Sequence, residues 1–359
     1  MQKPARDPSA GEPSEQGADR QRSVSIFDVA KAAGVSHQTV SRVINGRPRV
    51  SKDTRERVLE VIDELGYKPN RLARALAGGT VRSVTVLTAD TTLYGASLAL
   101  RGIEEAARAA EFAVAISVLD EHSALTPDDV ASRLARPGEP VLVIAFNAPG
   151  ERAWRALPRD FPAAAVVERP QEGRAGNRPE VWLDDRVAAA QATRYLLSLG
   201  HRTVHHLAIP SSTTSVGQRA EGWRDALVAA GRPVPGPLEG GWSPRSGYLA
   251  ARTLVADPQV TAVLCGNDEL ALGVLRAARE AGRDVPGDLS VVGFDDALYA
   301  GYIHPALTTV RLDFEGLGRG AFGMLHRLLD PENAPVPPLW AEPELIVRES
   351  TGVAPHRSH

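Results

Sequence analysis

The stretch Gly34–Arg42, "GVSHQTVSR", decides how the first part of the chain is read. Gly34 breaks one helical pattern and Ser36 is placed to cap the next. Val40, Val43 and Ile44 give that second helix an apolar side. His37, Gln38, Ser41 and Arg42 occupy the other side. At the helical turn angle these four fall within an arc of roughly 140°. A solvated helix face is one explanation of such a polar arc. The other is recognition: Gln makes paired hydrogen bonds to adenine and Arg to guanine in a major groove. Ser36 and Thr39 are placed to reach phosphates or bases.

Outward from this stretch the same unit continues in both directions. Ser25 and Asp28 have capping-box spacing, and Ile26, Val29, Ala30 and Ala33 follow at helical intervals. After the second helix, "NGRPRV" (Asn45–Val50) reads as a loop. Ser51 is placed to cap a third helix with an apolar stripe of Val58, Leu59, Ile62 and Leu65, ended by Gly66 and Pro69. Two short helices around a tight glycine turn predict a helix-turn-helix whose second helix enters the major groove. Charge agrees with a polyanionic partner. Residues 20–79 carry 12 Lys and Arg against 6 Asp and Glu, whereas residues 80–359 carry 27 against 34.

The full segment "SIFDVAKAAGVSHQTVSRVINGRPRVSKDTRERVLEVIDELGYKPNRLARALAGG" (Ser25–Gly79) resembles the DNA-binding headpiece of the lactose/galactose repressor family of bacterial transcription regulators. The resemblance implies that Ser36, His37, Gln38, Thr39, Ser41, Arg42 and Asn45 meet DNA. It also implies that "PNRLARALAGG" folds into a hinge helix on operator DNA. Leu76 then occupies the place of a minor-groove wedge, and Arg71 and Arg74 lie near phosphates. The implied partner is a palindromic operator bound by a homodimer.

Beyond Val81, short apolar runs such as "SVTVLT", "PVLVIAF" and "LSVVGFDD" alternate with helical stretches, and the pattern restarts near "TVHHLAIP". This predicts parallel α/β layers in two similar lobes with a ligand cleft at the C-terminal strand ends. Polar residues gather at those ends: Asn147, Asn267, Asp268, Asp295 and Asp296, with Arg219 and Trp242 nearby. Asp, Asn and Arg bind vicinal hydroxyls, and an aromatic ring covers the apolar face of a pyranose. Strand-end Asp and Asn also serve as helix caps. The body too resembles the repressor family, whose effector domain looks like a periplasmic sugar-binding protein. That resemblance implies Arg219, Asn267 and Asp295 as hydroxyl ligands, Trp242 as the stacking ring, and Asn147 and Phe314 as further pocket positions. Tyr94, Gly95 and Ala96 would line the side formed by the first lobe. "GWSPRSGY" is closest to the galactoside-responsive branch, but Val167, followed by Glu168, stands where that branch has a pocket aspartate.

The expected division is a disordered extension over 1–22, a helix-turn-helix domain over 23–69, a hinge and linker over 70–80, a two-lobe ligand-binding and dimerisation domain over 81–350, and a tail over 351–359. The extension has no apolar run of a signal peptide, and no stretch of about 18 apolar residues would span a membrane. The single cysteine, Cys265, forms no internal disulfide, which suits a reducing cytoplasm. No catalytic or metal-binding motif is legible and no cofactor is implied; the His205–His206 pair reads as a strand edge. The expected function is repression of carbohydrate-utilisation genes, relieved by a small sugar. The alternatives are a non-sugar effector such as a nucleobase, and a sugar-binding or sugar-processing protein without a regulatory role.

Overall fold

The computed structural model describes residues 24–44, 50–66, 82–120, 126–134, 138–159, 161–168, 178–211, 217–337 and 339–355. Asn45, Arg71, Arg74 and Leu76 lie outside the described residues, as do the N-terminal extension and the last four residues of the tail. The chain divides into two compact units, Met1–Val81 and Arg82–His359.

Among the described residues the first unit contains three helices, α1 (Ile26–Ala33), α2 (His37–Ile44) and α3 (Lys52–Glu64). Local sequence sets each start. Ser25 and Asp28 form the reciprocal capping box of α1. The Thr39 amide donates to Ser36 Oγ at 3.1 Å, and the Thr54 amide to Ser51 Oγ at 3.3 Å. Gly34 ends α1 with a left-handed backbone, φ 66°, which a side chain would oppose. Val29, Ala30, Ala33, Val40, Val43 and Val58 form the core of the unit. The stripe expected on α3 is shifted: Val61 and Ile62 pack with Val58 against this core, while Leu59 is 49% exposed. Leu59 directly follows Val58, so the turn of the helix carries it off the inner face.

The second unit has two sheets. The first has the order β2-β1-β3-β4-β5, from β1 (Ser83–Thr88), β2 (Ala113–Val118), β3 (Val141–Ala145), β4 (Ala163–Val167) and β5 (Glu180–Val181), all parallel. The second has the order β11-β10-β9-β8-β6-β7, from β6 (His205–Ala208), β7 (Leu238–Glu239), β8 (Ala262–Cys265), β9 (Ser290–Asp295), β10 (Thr308–Arg311) and β11 (Glu344–Ile346). Only β11 runs antiparallel. Strands β3, β4 and β9 are buried throughout, as expected of parallel strands covered on both faces by helices.

The helices of this unit are α4 (Tyr94–Ala109), α5 (Pro127–Ser132), α6 (Ala148–Ala156), α7 (Asp185–Ser198), α8 (Gln218–Ala229), α9 (Pro244–Ala256), α10 (Asp268–Glu280) and α11 (Phe314–Leu329). Two of them change lobes relative to their order in sequence. Helix α7 packs on the second sheet, and α11 returns to pack on α4 and β4 of the first. The chain therefore crosses between lobes three times: before α7, before α11 and before β11. The return of α11 is made possible by small residues on both partners. A methyl group at Gly102 would overlap the Glu315 carbonyl, and one at Gly318 would overlap the Ala99 carbonyl. Gly318→Ala should therefore push α11 off α4 and cost about 1–3 kcal/mol. Chemical denaturation of the variant should show a lower midpoint.

Candidate functional site

On α2 the side chains divide as the sequence suggests. Val40 and Val43 are buried, whereas His37, Gln38 and Arg42 are exposed and Ser41 is half-buried. Ser36 and Thr39 are joined hydroxyl to hydroxyl at 2.9 Å, so both are engaged at the helix start. Phe27, on α1, was not singled out from sequence. It is 64% exposed, with its ring centroid 5.2 Å from that of His37. The exposed polar face of α2 therefore has an apolar ring beside His37.

In the second unit a cavity of about 380 Å³ opens between the C-terminal ends of the parallel strands of both lobes. The first lobe contributes Tyr94, Gly95 and Ala96 from the start of α4, Phe146 after β3, and Val167 and Glu168 at the end of β4. The second contributes Asp185, Arg219, Trp242, Asn267 and Asp295, and Phe314 lines the crossing into α11. Five of the six residues expected at the pocket thus meet at one cavity. Asn147 does not line it: its side-chain oxygen accepts from Gly150 N at 3.1 Å and caps α6. The neighbouring Phe146 faces the cavity instead, edge-on to Phe314 with centroids 5.7 Å apart. Asn267 has two roles. Its Oδ1 accepts from Leu270 N at 2.8 Å as the cap of α10, while its Nδ2 donates to the Trp242 carbonyl at 3.2 Å. A cap and a cavity wall are here one side chain.

Arg219 is the electrostatic centre. It is buried, with Nε donating to Asp185 Oδ2 at 2.8 Å and Nη2 3.2 Å from Asp295 Oδ1. Nη1 donates to the Gly266 carbonyl, and the guanidinium carbon lies 4.1 Å from the Phe294 ring centroid. Burial raises Asp185 above the ordinary carboxylate range and Asp295 well above it, while the Arg219 charge opposes both shifts. Asp185 was missed by sequence reading because "DD" at a helix start looks like a double cap. Only Asp184 caps, accepting from Val187 N at 3.0 Å, which leaves Asp185 for Arg219.

The loop after β9 holds Asp295 in place. Asp295 and Asp296 have φ of 109° and 54°, a backbone region L-residues rarely adopt. The surroundings hold this geometry. Asp296 accepts from Arg311 Nε at 2.8 Å and from Arg348 Nη2 at 2.6 Å. Asp268 accepts from Ala297 N at 2.7 Å and from Thr309 Oγ1 at 2.6 Å, and burial pushes it up to about 7. Asp268 and Asp296 are thus structural. The His205–His206 reading also changes. Strand β6 lies inside the sheet, and His206 is buried, stacked on Trp223 at 5.4 Å. His206 Nδ1 donates to the Leu264 carbonyl at 2.9 Å, and burial pushes its pKa down to about 4, so the ring is neutral. Among the described residues no group of three or more His, Cys, Asp or Glu could hold a metal ion, and no helix is long and apolar enough to cross a membrane.

Residues 25–70 match the bacterial regulatory proteins of the lacI family, and residues 193–351 match the periplasmic binding protein-like domain. Catabolite control protein A of Priestia megaterium is 32% identical over 86% of this chain and 93% of its own length. The crystal structure of the lac repressor dimer bound to operator and the anti-inducer ONPF superposes with a TM-score of 0.72, at 29% identity, over 92% of this chain and all of that one. A complex of the transcriptional regulator CelR with cellobiose gives 0.62 at 30% identity, over 91% of this chain and 99% of that one.

The Arg219 cluster makes a testable demand on stability. Arg219→Met would leave two buried carboxylates uncompensated, at a cost of about 3–5 kcal/mol near neutral pH. Both carboxylates already have raised folded pKa values, and losing the guanidinium raises them further. Protonation then relieves the penalty, so the deficit should shrink as pH falls from 7 towards 5. Urea denaturation of wild type and variant at both pH values measures this. A deficit that grows on acidification would contradict it.

Proposed function

The chain belongs to the lacI family of bacterial regulatory proteins and is a DNA-binding transcriptional repressor of sugar and carbon metabolism; from that premise we propose that it binds a palindromic operator as a homodimer and is released by a neutral sugar in the cavity of its second unit. The observation that carries the effector reading is the meeting of Arg219, Asp295 and Asn267 with the rings of Trp242 and Phe314. Polar groups at fixed positions suit ring hydroxyls, and aromatic rings suit the apolar sugar face. Among the described residues the lining holds Asp90, Glu168, Asp185, Glu269 and Asp295 against Arg219 as its one Lys or Arg. Arg219 is already engaged by two of these carboxylates, so at the described lining an anionic effector meets repulsion. We assign the molecule a binding role in place of a catalytic one, and a cytoplasmic location. Asp295 and Asp296 form no acid/base pair, since one faces Arg219 and the other Arg311 and Arg348.

For the dimer, the segment after β9 offers two exposed large apolar side chains: Leu298 is 82% exposed and Tyr302 91%. Such exposure on one loop suits burial against a second copy. At the DNA, Gln38 and Arg42 are assigned to base edges, and Arg71, Arg74 and Leu76 to the hinge contacts. Gln38→Ala and Arg42→Ala should each cost roughly 1–3 kcal/mol on the preferred base pair and relax base choice there. Arg71→Ala should weaken all sequences similarly and flatten the salt dependence. Binding measured on an operator library at two salt concentrations separates these roles; a change of base choice by Arg71→Ala alone would reverse them.

The effector reading is tested by titrating sugars into the protein–operator complex, galactosides and cellobiose first. A hundredfold release requires the sugar to favour the released arrangement by about 2.7 kcal/mol. Asp295→Ala should bind operator as wild type does yet stay bound at sugar concentrations that release wild type. Equal release of both proteins would remove Asp295 from the site. Release of wild type by a nucleobase and by no sugar would replace the sugar reading.

A further inference from the structure

Glu168 lies at the end of β4, in the first lobe, beside the valine that stands where a pocket aspartate was expected. It makes hydrogen bonds to the other lobe. Glu168 Oε1 accepts from the backbone amide of Gln218 at 3.1 Å, the first residue of α8. Glu168 Oε2 accepts from Ser211 Oγ at 3.4 Å. In return, the side-chain amide of the buried Gln218 donates to the Glu168 backbone carbonyl. The helix cap, Gly217, offers no side-chain acceptor of its own, and a methyl group there would sit 3.0 Å from Glu168 Oε1. A carboxylate from one lobe thus takes the place of the missing cap on a helix of the other. It sits where unsatisfied amides and the helix dipole favour a negative charge. Tyr94 makes a second polar link between the lobes, its hydroxyl donating to the Asp296 carbonyl at 3.3 Å. That link is neutral and longer than the Gln218 amide contact, and no part of it is a charged group at a helix start.

We propose that Glu168 is a latch across the effector cleft, a positioning residue that holds the two lobes together by capping α8 from the opposite side. The idea rests on the effector reading of the cavity described above, while its central contact is made by the protein's own atoms. The latch sets the fraction of molecules whose lobes are closed around the cavity. An effector that needs contacts from both lobes binds that fraction, so its apparent affinity scales with it. Glu168 then tunes how much effector is needed for operator release without itself reading a ring hydroxyl. It also accounts for the glycine at position 217, since a larger residue would hold the carboxylate away from the helix start.

Amide hydrogen exchange on the effector-free full-length protein tests the latch directly. Wild type, Glu168→Ala and Glu168→Gln are compared, with Gly217→Ala as an independent way to displace the carboxylate. Exchange at the first turn of α8 should quicken in Glu168→Ala and Gly217→Ala, in variants that keep a cooperative melting transition. Glu168→Gln, which keeps an acceptor oxygen without the charge, should fall between them and wild type. Wild-type exchange in all three folded variants would overturn the proposal, as would acceleration spread evenly over the whole second unit. A second measurement, calorimetry with cellobiose, lactose and D-galactose, should show affinity falling by about five- to tenfold in Glu168→Ala and less in Glu168→Gln for whichever sugar binds wild type. If none of these sugars binds wild type, the sugar reading loses support, while the exchange result still decides the latch.

Discussion

A guanidinium cannot be buried without partners, and Arg219 is buried. That constraint organises the effector domain. The partners must come from elsewhere in the chain: Asp185 from the start of α7, Asp295 from the end of β9, and the Gly266 carbonyl from the turn after β8. Two strand ends and two helix starts are thereby drawn to one point at the rim of the second sheet. The same convergence creates a polar floor under the cavity. At this point one guanidinium faces two carboxylates, and the Phe294 ring lies against the guanidinium. A site of this kind orients hydroxyls by fixed hydrogen-bonding groups and holds little in reserve for an incoming anion.

The rest of the domain keeps that point rigid and leaves motion to the cleft. Asp295 occupies a backbone region that costs energy, and it persists because Asp296 and Asp268 are tied to Arg311, Arg348, Thr309 and the Ala297 amide. Helix α11 is held against α4 through glycines that allow backbone contact, so the first lobe is also stiff. Close-packed lobes do not deform continuously. A ligand between them acts on how far they are apart, through the three chain crossings and through contacts such as that of Glu168 with α8. An effector influences the lobe arrangement only by its differential affinity for the two states, and the polar links across the cleft set the balance it must shift.

Most of the fold was legible in the sequence because its signals are local. Ser25, Ser36 and Ser51 cap the helices they were placed to cap, and the long apolar runs became the central strands. What escaped was non-local. Nothing in "DRVAAAQATRYLLSLG" says that its helix belongs to the second sheet, because its alanine-rich face would pack on either. The two-residue strands β5 and β7 are too short to carry a pattern. At the cavity Phe314 came only from the family resemblance, whereas residue type at the strand ends pointed to Arg219, Trp242, Asn267 and Asp295. It could not separate Asn147 from Asn267, since both follow an apolar strand and both cap a helix. The difference lies in where the rest of the side chain faces: Asn267 reaches the Trp242 carbonyl at the cavity wall, whereas beside Asn147 it is Phe146 that lines the cavity. Glu168 was noticed only as a neighbour of an unexpected valine, because a helix cap supplied from another lobe has no spacing in the sequence.

The charge asymmetry of the chain completes the division of labour. A duplex repels an acidic surface, and its attraction for basic residues is strong and independent of sequence. With 27 Lys and Arg against 34 Asp and Glu beyond residue 79, the effector domain adds no general affinity for DNA. The basic first unit therefore carries the electrostatic attraction, and its exposed His37, Gln38 and Arg42 supply groups that can discriminate bases. This matters for a switch. If the large domain also held DNA through phosphates, a change in its lobes would alter only part of the binding energy and release would be incomplete. Keeping the affinity in a small unit, and the effector chemistry in a separate acidic one, lets a coupling of a few kcal/mol decide whether the operator is occupied.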